Sequence, residues 1–183
     1  MPHPFEEELG WVVLTNHRLL VERISGIEAQ EVALGNLPPT EIHFLSDELR
    51  RAANNLALVG LVTRLHHWVS VFVEELTGES ARDIPLAKNL DTLNKRTGVG
   101  PVPVDFFRSL VDVRDAIIHA DSRRQWTYRG KKRRVSERYA SAASGDVNFT
   151  ETHLQEAIEK SVMQVKWYDD QVDALQGDRV SPH

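Results

Sequence analysis

Apolar residues recur at intervals of three and four along most of the chain. Phe5, Leu9, Val12, Val13, Leu20 and Ile24 follow that spacing and predict a first helix, ended by Ser25-Gly26 and followed by a connector to Pro38-Pro39. From Thr40 to Thr77-Gly78 there is no Pro and only one Gly. Phe44, Leu49, Leu56, Val62, Val69 and Val73 mark a broad apolar face there, so a single long helix is predicted as the spine of a bundle. Gly60, in its middle, suits either a bend or the close approach of a neighbour. A shorter helix over Ile84 to Arg96, a turn at TGVGPVP and a helix over Val104 to about Ala120, with Pro103 near its first turn, come next. Tyr139 to Phe149, rich in Ala, Ser and Gly, predicts a short hairpin or an irregular crossing. Thr150, with Glu151 and Thr152, caps a last helix to about Leu175, and GDRVSPH reads as a loose tail. The pattern predicts an all-α bundle of four to five helices in one domain over residues 1–183. Residues 1–39 supply the N-terminal helix and connector, 40–175 the core and 176–183 the tail.

Composition narrows the chemistry. A chain of 183 residues with 41% hydrophobic side chains is long enough to bury roughly 70% of its unfolded surface. It contains no cysteine, which excludes disulfide frameworks, zinc ribbons and thiol catalysis. The acidic start, MPHPFEEELG, does not resemble a signal peptide. The longest apolar-plus-glycine run, Leu56 to Val62, is short for a membrane span, so a cytoplasmic protein without a membrane role is expected.

The net charge of −5 conceals an asymmetry. From Ser122 to Arg138 eight Lys and Arg face one Glu, a local +7 that leaves −12 for the remainder. Arg123, Arg124, Arg129, Lys131, Lys132, Arg133 and Arg134 in this expected loop are candidate phosphate contacts, and Trp126 and Tyr128 offer faces for stacking. Charge alone fits a solvated loop equally well.

Directly before it stands FFRSLVDVRDAIIHADSRR. On an ideal helix Phe106, Leu110, Val113 and Ile117 lie within about 40° of one another. Arg114 falls inside this apolar arc, where a guanidinium requires an acidic partner or an anionic ligand. His119 projects from another side with Arg108, Asp112 and Asp115, about 140° from Arg114. Asp115, four residues before His119, is within reach of its imidazole. The helix C-terminus also favours imidazolium, which suits His119 to general acid or base work. A surface histidine in an ordinary helix is the competing reading.

Arg114-Asp115-Ala116-Ile117-Ile118-His119 resembles the R-x4-H signature of the HEPN superfamily, in which a polar residue follows the Arg. The order of elements from about Thr40 to Leu175 is similar too. The resemblance implies a metal-independent endoribonuclease without a cofactor, acting as a homodimer whose motif helices face each other across a composite site. His119 would take the proton of a ribose 2′-hydroxyl, which attacks the adjacent phosphorus. The equivalent His of a second copy would protonate the leaving 5′-oxygen, leaving a 2′,3′-cyclic phosphate. Arg114 would stabilise the phosphorane, Asp115 would orient His119 or Arg114, and the basic loop would hold flanking RNA phosphates. Roles in phage defence or a toxin–antitoxin pair, with an antitoxin or regulatory protein as partner, follow by association. A non-catalytic module binding RNA or an acidic protein is the alternative.

Other features read as structural. His66 and His67 lack the spacing of a metal pair, and the glycines of TGVG lack the Lys-Ser/Thr of a phosphate-binding loop. Trp11, Trp68 and Trp167 occupy apolar helical positions and are expected in the core.

Overall fold

In the computed structural model, which describes residues 2–128, 130–142 and 145–180, the chain starts helical at once. His3 caps the first helix by accepting the Phe5 N–H at Nδ1, and Pro4 takes its first position. Helix α1 (Pro4–Leu9) leads through a π-helical turn (Gly10–Leu14) into α2 (Thr15–Leu34). The expected stop at Ser25-Gly26 is absent. The loss of helix propensity at Gly26, about 1 kcal/mol, is outweighed by packing along the next helix, and the helix ends at Gly35, which adopts the left-handed conformation. The π turn takes an extra residue and so shifts the apolar wheel behind it. Within it Trp11 is 76% exposed, not part of the core as expected.

Helix α3 (Pro39–Thr77) is the spine predicted from its uninterrupted pattern. Gly60 serves close approach, since a Cβ there would stand 3.3 Å from Val13 Cγ2. By length and hydropathy α3 could cross a membrane, but half of its most apolar window is buried within the bundle. Helices α4 (Leu86–Thr97) and α5 (Val104–His119) follow at nearly the expected limits. At the intervening turn a Cβ on Gly100 would meet Gln164 Nε2 at 2.0 Å, so only glycine lets the buried Gln164 accept the Val102 N–H at Oε1 (3.0 Å).

The basic segment, expected as a loop, is a β-hairpin. β1 (Gln125–Tyr128) pairs antiparallel with β2 (Lys131–Arg134), placing Trp126 opposite Arg133 and Tyr128 opposite Lys131. Gly130 takes positive φ at the turn, and Arg129 beside it lies outside the described residues. Of the two forms expected over Tyr139 to Phe149, the described residues take the irregular crossing. A 3-10 turn (Glu137–Tyr139) leads into it, and single bridges link Arg123 with Asp146 and Ala140 with Val147.

Helix α6 (Glu151–Val180) extends beyond Leu175 into the segment expected to be loose, while residues 181–183 lie outside the described residues. The observed architecture is thus an all-α bundle with one small sheet among the described residues. Its core joins α1, the π turn and α3 to α6 in one cluster, including Phe5, Leu61, Leu90, Phe107 and Tyr168.

Thr150 and His153 cap α6 reciprocally. The Thr150 hydroxyl accepts the His153 N–H, and His153 Nδ1 accepts the Thr150 N–H. Burial, followed by the nearby Arg138, holds the His153 imidazole below its ordinary 6.5. The unfolded chain therefore binds this proton at higher pH than the folded one. Stability should hold above about pH 6.5 and fall as the pH drops through that value, because protonation removes the acceptor. Thermal melts across this range are expected to flatten in His153→Gln, which keeps the cap but does not titrate.

Candidate active site

Helix α5 ends at His119, where the Ala120 and Ser122 N–H groups both close on the Ala116 carbonyl at 3.0 Å. Asp121 and Ser122 take positive φ (50° and 59°), a conformation that turns the chain back on itself. The hairpin consequently folds over the end of the motif helix. Tyr128 stacks on His119, with ring centroids 5.1 Å apart and planes 23° from parallel.

Alternation along the strands gives the hairpin two faces. Trp126, Tyr128, Lys131 and Arg133 share one of them, while Gln125, Thr127, Lys132 and Arg134 point the other way. Tyr128, Lys131 and Arg133 line a cavity of about 660 Å³ together with α5, the start of α4 and one residue of α3. Arg114 and His119 both line it, despite their divergence on an ideal helix. Residues so far apart on the wheel meet because the hairpin builds a wall beyond the helix end.

Within this cavity Arg114 has the acidic partner its position requires. Its Nε and Nη2 donate to one Asp115 oxygen at 3.0 and 2.6 Å. Asp115 therefore orients Arg114, and the described contacts do not join it to His119. Asp112 lies 3.8 Å from Arg133. Burial raises the Asp112 carboxyl above its ordinary value, Arg133 draws it down and Asp115 pushes it up again. Arg108 is held at the rim by Asp91 and Asp105 at 2.9 and 2.8 Å. Lys131 is in no ion pair among the described residues and is the cation left to meet an external anion.

The other basic candidates divide by partner. Arg124 and Arg134 both bind Glu137, which ties the base of the hairpin to the 3-10 turn behind it, and Arg138 on that turn binds Glu156 on α6. Trp126 packs on the core with a buried Nε1, which removes it as an open stacking platform. Lys132 is exposed on the outer face, Arg123 meets Asp146 through a backbone β-bridge, and Arg129 falls outside the described residues.

His66 is the residue that spacing missed. It sits on α3, far from the motif in sequence, yet lines the same cavity, with Nε2–H donated to the Ile84 carbonyl at 2.7 Å. Only its Nδ1 remains available. Its neighbour His67 is exposed. Among the described residues no group of three His, Asp or Glu is arranged to hold a metal ion.

The stacked pair offers a direct check. Ring current from Tyr128 should move the His119 ring proton resonances upfield, and Tyr128→Leu should return them to ordinary positions while leaving the fold intact. Unchanged resonances would show that the hairpin does not cover the helix end.

Comparison with known proteins finds no matching family model, no matching curated protein and no matching solved structure.

Proposed function

We propose that this cavity is the active site of an endoribonuclease of the HEPN type. The observation that carries the reading is the convergence of an Arg, an imidazole and an unpaired Lys in one cavity closed by a cationic hairpin. In-line transfer from a 2′-hydroxyl needs a base, a charge stabiliser and a phosphate anchor, which His119, Arg114 and Lys131 respectively supply. His119 removes the 2′-hydroxyl proton, the 2′-oxygen bonds to phosphorus, and the bond to the 5′-oxygen breaks. The departing oxygen takes a proton from an imidazolium, either His66, which would carry a proton on Nδ1 besides the Nε2–H it gives to Ile84, or the protonated His119 of a second copy in a composite homodimeric site. Arg114, held by Asp115, aims its remaining donors at the phosphorane oxygens. No step requires a metal or cofactor.

A binding module for RNA or an acidic protein, such as an antitoxin, is favoured by one specific observation. Asp115 already engages two of the Arg114 donors, which suits static anion recognition as well as catalysis. A 2′-deoxy substitution separates these readings. Labelled RNA should be cut in EDTA, and the same strand with one deoxynucleotide at the cut site should bind equally but remain whole there. Equal binding with no cleavage of either strand would favour the module.

A further inference from the structure

Phosphate chemistry employs the cations of the cavity and leaves Asp112 without a role. Asp115 is taken up by Arg114. Asp112 is partly buried on the same wall, yet it accepts no hydrogen bond among the described residues. Its cationic neighbour Arg133 stands at 3.8 Å, beyond hydrogen-bond distance. A carboxylate placed only to fasten the hairpin would close on its arginine, as Glu137 does on Arg124 and Arg134. Facing a phosphodiester alone, it would repel it. Burial raises the Asp112 carboxyl, a cost that N–H donors from a ligand would offset.

The placement of the two residues gives the cavity a direction. Asp112 and His119 are seven residues apart and share one face of α5, separated by about 10 Å along its axis. Strand β2 returns beside that face. Lys131 is paired with Tyr128, which covers His119, and Arg133, on the same side of the hairpin, reaches Asp112. The cavity therefore has a phosphate end at His119 and Lys131 and, beyond Arg114, a second end where Arg133 and Asp112 stand side by side. Ile84, Pro85, Leu86 and Val111 add an apolar wall to it. One nucleotide spans that separation from its 3′-phosphate to the Watson–Crick edge of its base.

We propose that Asp112 and Arg133 select guanine, reading the base of the nucleotide whose 2′-hydroxyl attacks, so that RNA is cut on the 3′ side of guanosine. The Watson–Crick edge of guanine presents an acceptor, O6, followed by two adjacent donors, N1–H and N2–H. A guanidinium beside an ionised carboxylate offers the complement, a donor followed by two acceptors. Adenine and cytosine set a ring-nitrogen acceptor next to a single amino group, and uracil flanks its one N–H with two carbonyls. Each would turn a lone pair toward the carboxylate and lose one of the bonds that guanine makes. The apolar wall takes the face of any base and contributes no choice. Where the cut falls rests on the endoribonuclease reading, whereas binding of the base does not.

Binding and cleavage are measured separately on the full chain. In calorimetric titrations guanosine 3′-monophosphate should bind about 10- to 100-fold more tightly than adenosine 3′-monophosphate, the range of one or two hydrogen bonds to a charged group. Inosine 3′-monophosphate, which lacks only the 2-amino group, should bind about 10-fold more weakly than the guanosine nucleotide. In Asp112→Asn the three should bind alike. The guanosine–inosine difference is read on wild type, so it holds even if the variant folds poorly. Mapping the ends left on a labelled RNA of all four nucleotides should place cuts after guanosine, with that excess lost in Asp112→Asn. Selective guanosine binding without cleavage of any RNA would uphold the base contact and remove the nuclease reading. Cleavage spread evenly over the four bases would overturn the base contact and leave the nuclease standing. Equal or absent binding of the guanosine and inosine nucleotides would overturn it whatever the cleavage result.

Discussion

Replacing His119 by Ala is expected to lower RNA cleavage by about 10²- to 10⁴-fold, the range contributed by a positioned general base. Arg114→Ala should cost about 10²- to 10³-fold, as does loss of a donor to a developing charge. Their failures should differ in kind. His119 is exposed at the end of α5 and stacked on Tyr128, so its loss leaves the cation set intact. RNA should bind His119→Ala almost as tightly as wild type. Arg114→Ala also frees Asp115, placing an unpaired carboxylate next to Asp112, which burial already holds above its ordinary value. Binding should therefore weaken together with cleavage. Arg114→Lys keeps the charge but not the fork that Asp115 orients, and should recover binding more than rate. Single-turnover rates and equilibrium binding, measured on the same RNA, separate the two effects. Equal loss of binding in both alanine variants would assign His119 a contact role instead of proton transfer.

The largest loss of stability is expected from Phe5→Ala, far from the cavity. Phe5 is fully buried and meets Trp68 edge-on, with centroids 6.1 Å apart. Its helix is fastened on both sides. Glu8 accepts from Arg64 and the Trp68 indole on α3, while His3 and Glu6 reach Asp169 and Lys166 on α6. These polar ties hold α1 in place and limit collapse around a deleted ring, so truncation should cost about 3–5 kcal/mol. At about 2–4 °C per kcal/mol for a chain of this size, the midpoint should fall by about 6–20 °C. A thermal melt monitored at 222 nm would show it. A shift of only a degree or two would mean that the first helix is an appendage to a bundle beginning at α3.

Long, uninterrupted apolar patterns made the spine, the motif helix and the closing helix legible in the sequence. The cues that failed were local ones overridden by neighbours. Gly26 resembled a terminus, but packing on α3 carries the helix past it to Gly35, whose left-handed conformation ends it. The hairpin carried no alternating apolar signal because β2 is Lys-Lys-Arg-Arg and fully exposed. Only the Gly at its turn hinted at a chain reversal. Arg114 and His119 were identifiable from one helix, including the need of Arg114 for an acidic partner. That they share a cavity was not, since this depends on Tyr128 and Lys131 returning across the helix end. His66 joins them through packing of α3 beside α5, a relation without a trace in linear spacing.

The ends left on a labelled RNA by wild-type protein in EDTA test the nature of the cavity most directly. A 2′,3′-cyclic phosphate on the upstream fragment and a 5′-hydroxyl on the downstream one, both absent with His119→Ala, are expected. Fragments bearing a 3′-hydroxyl and a 5′-phosphate, or ends that persist in His119→Ala, would contradict proton abstraction by His119 in this cavity.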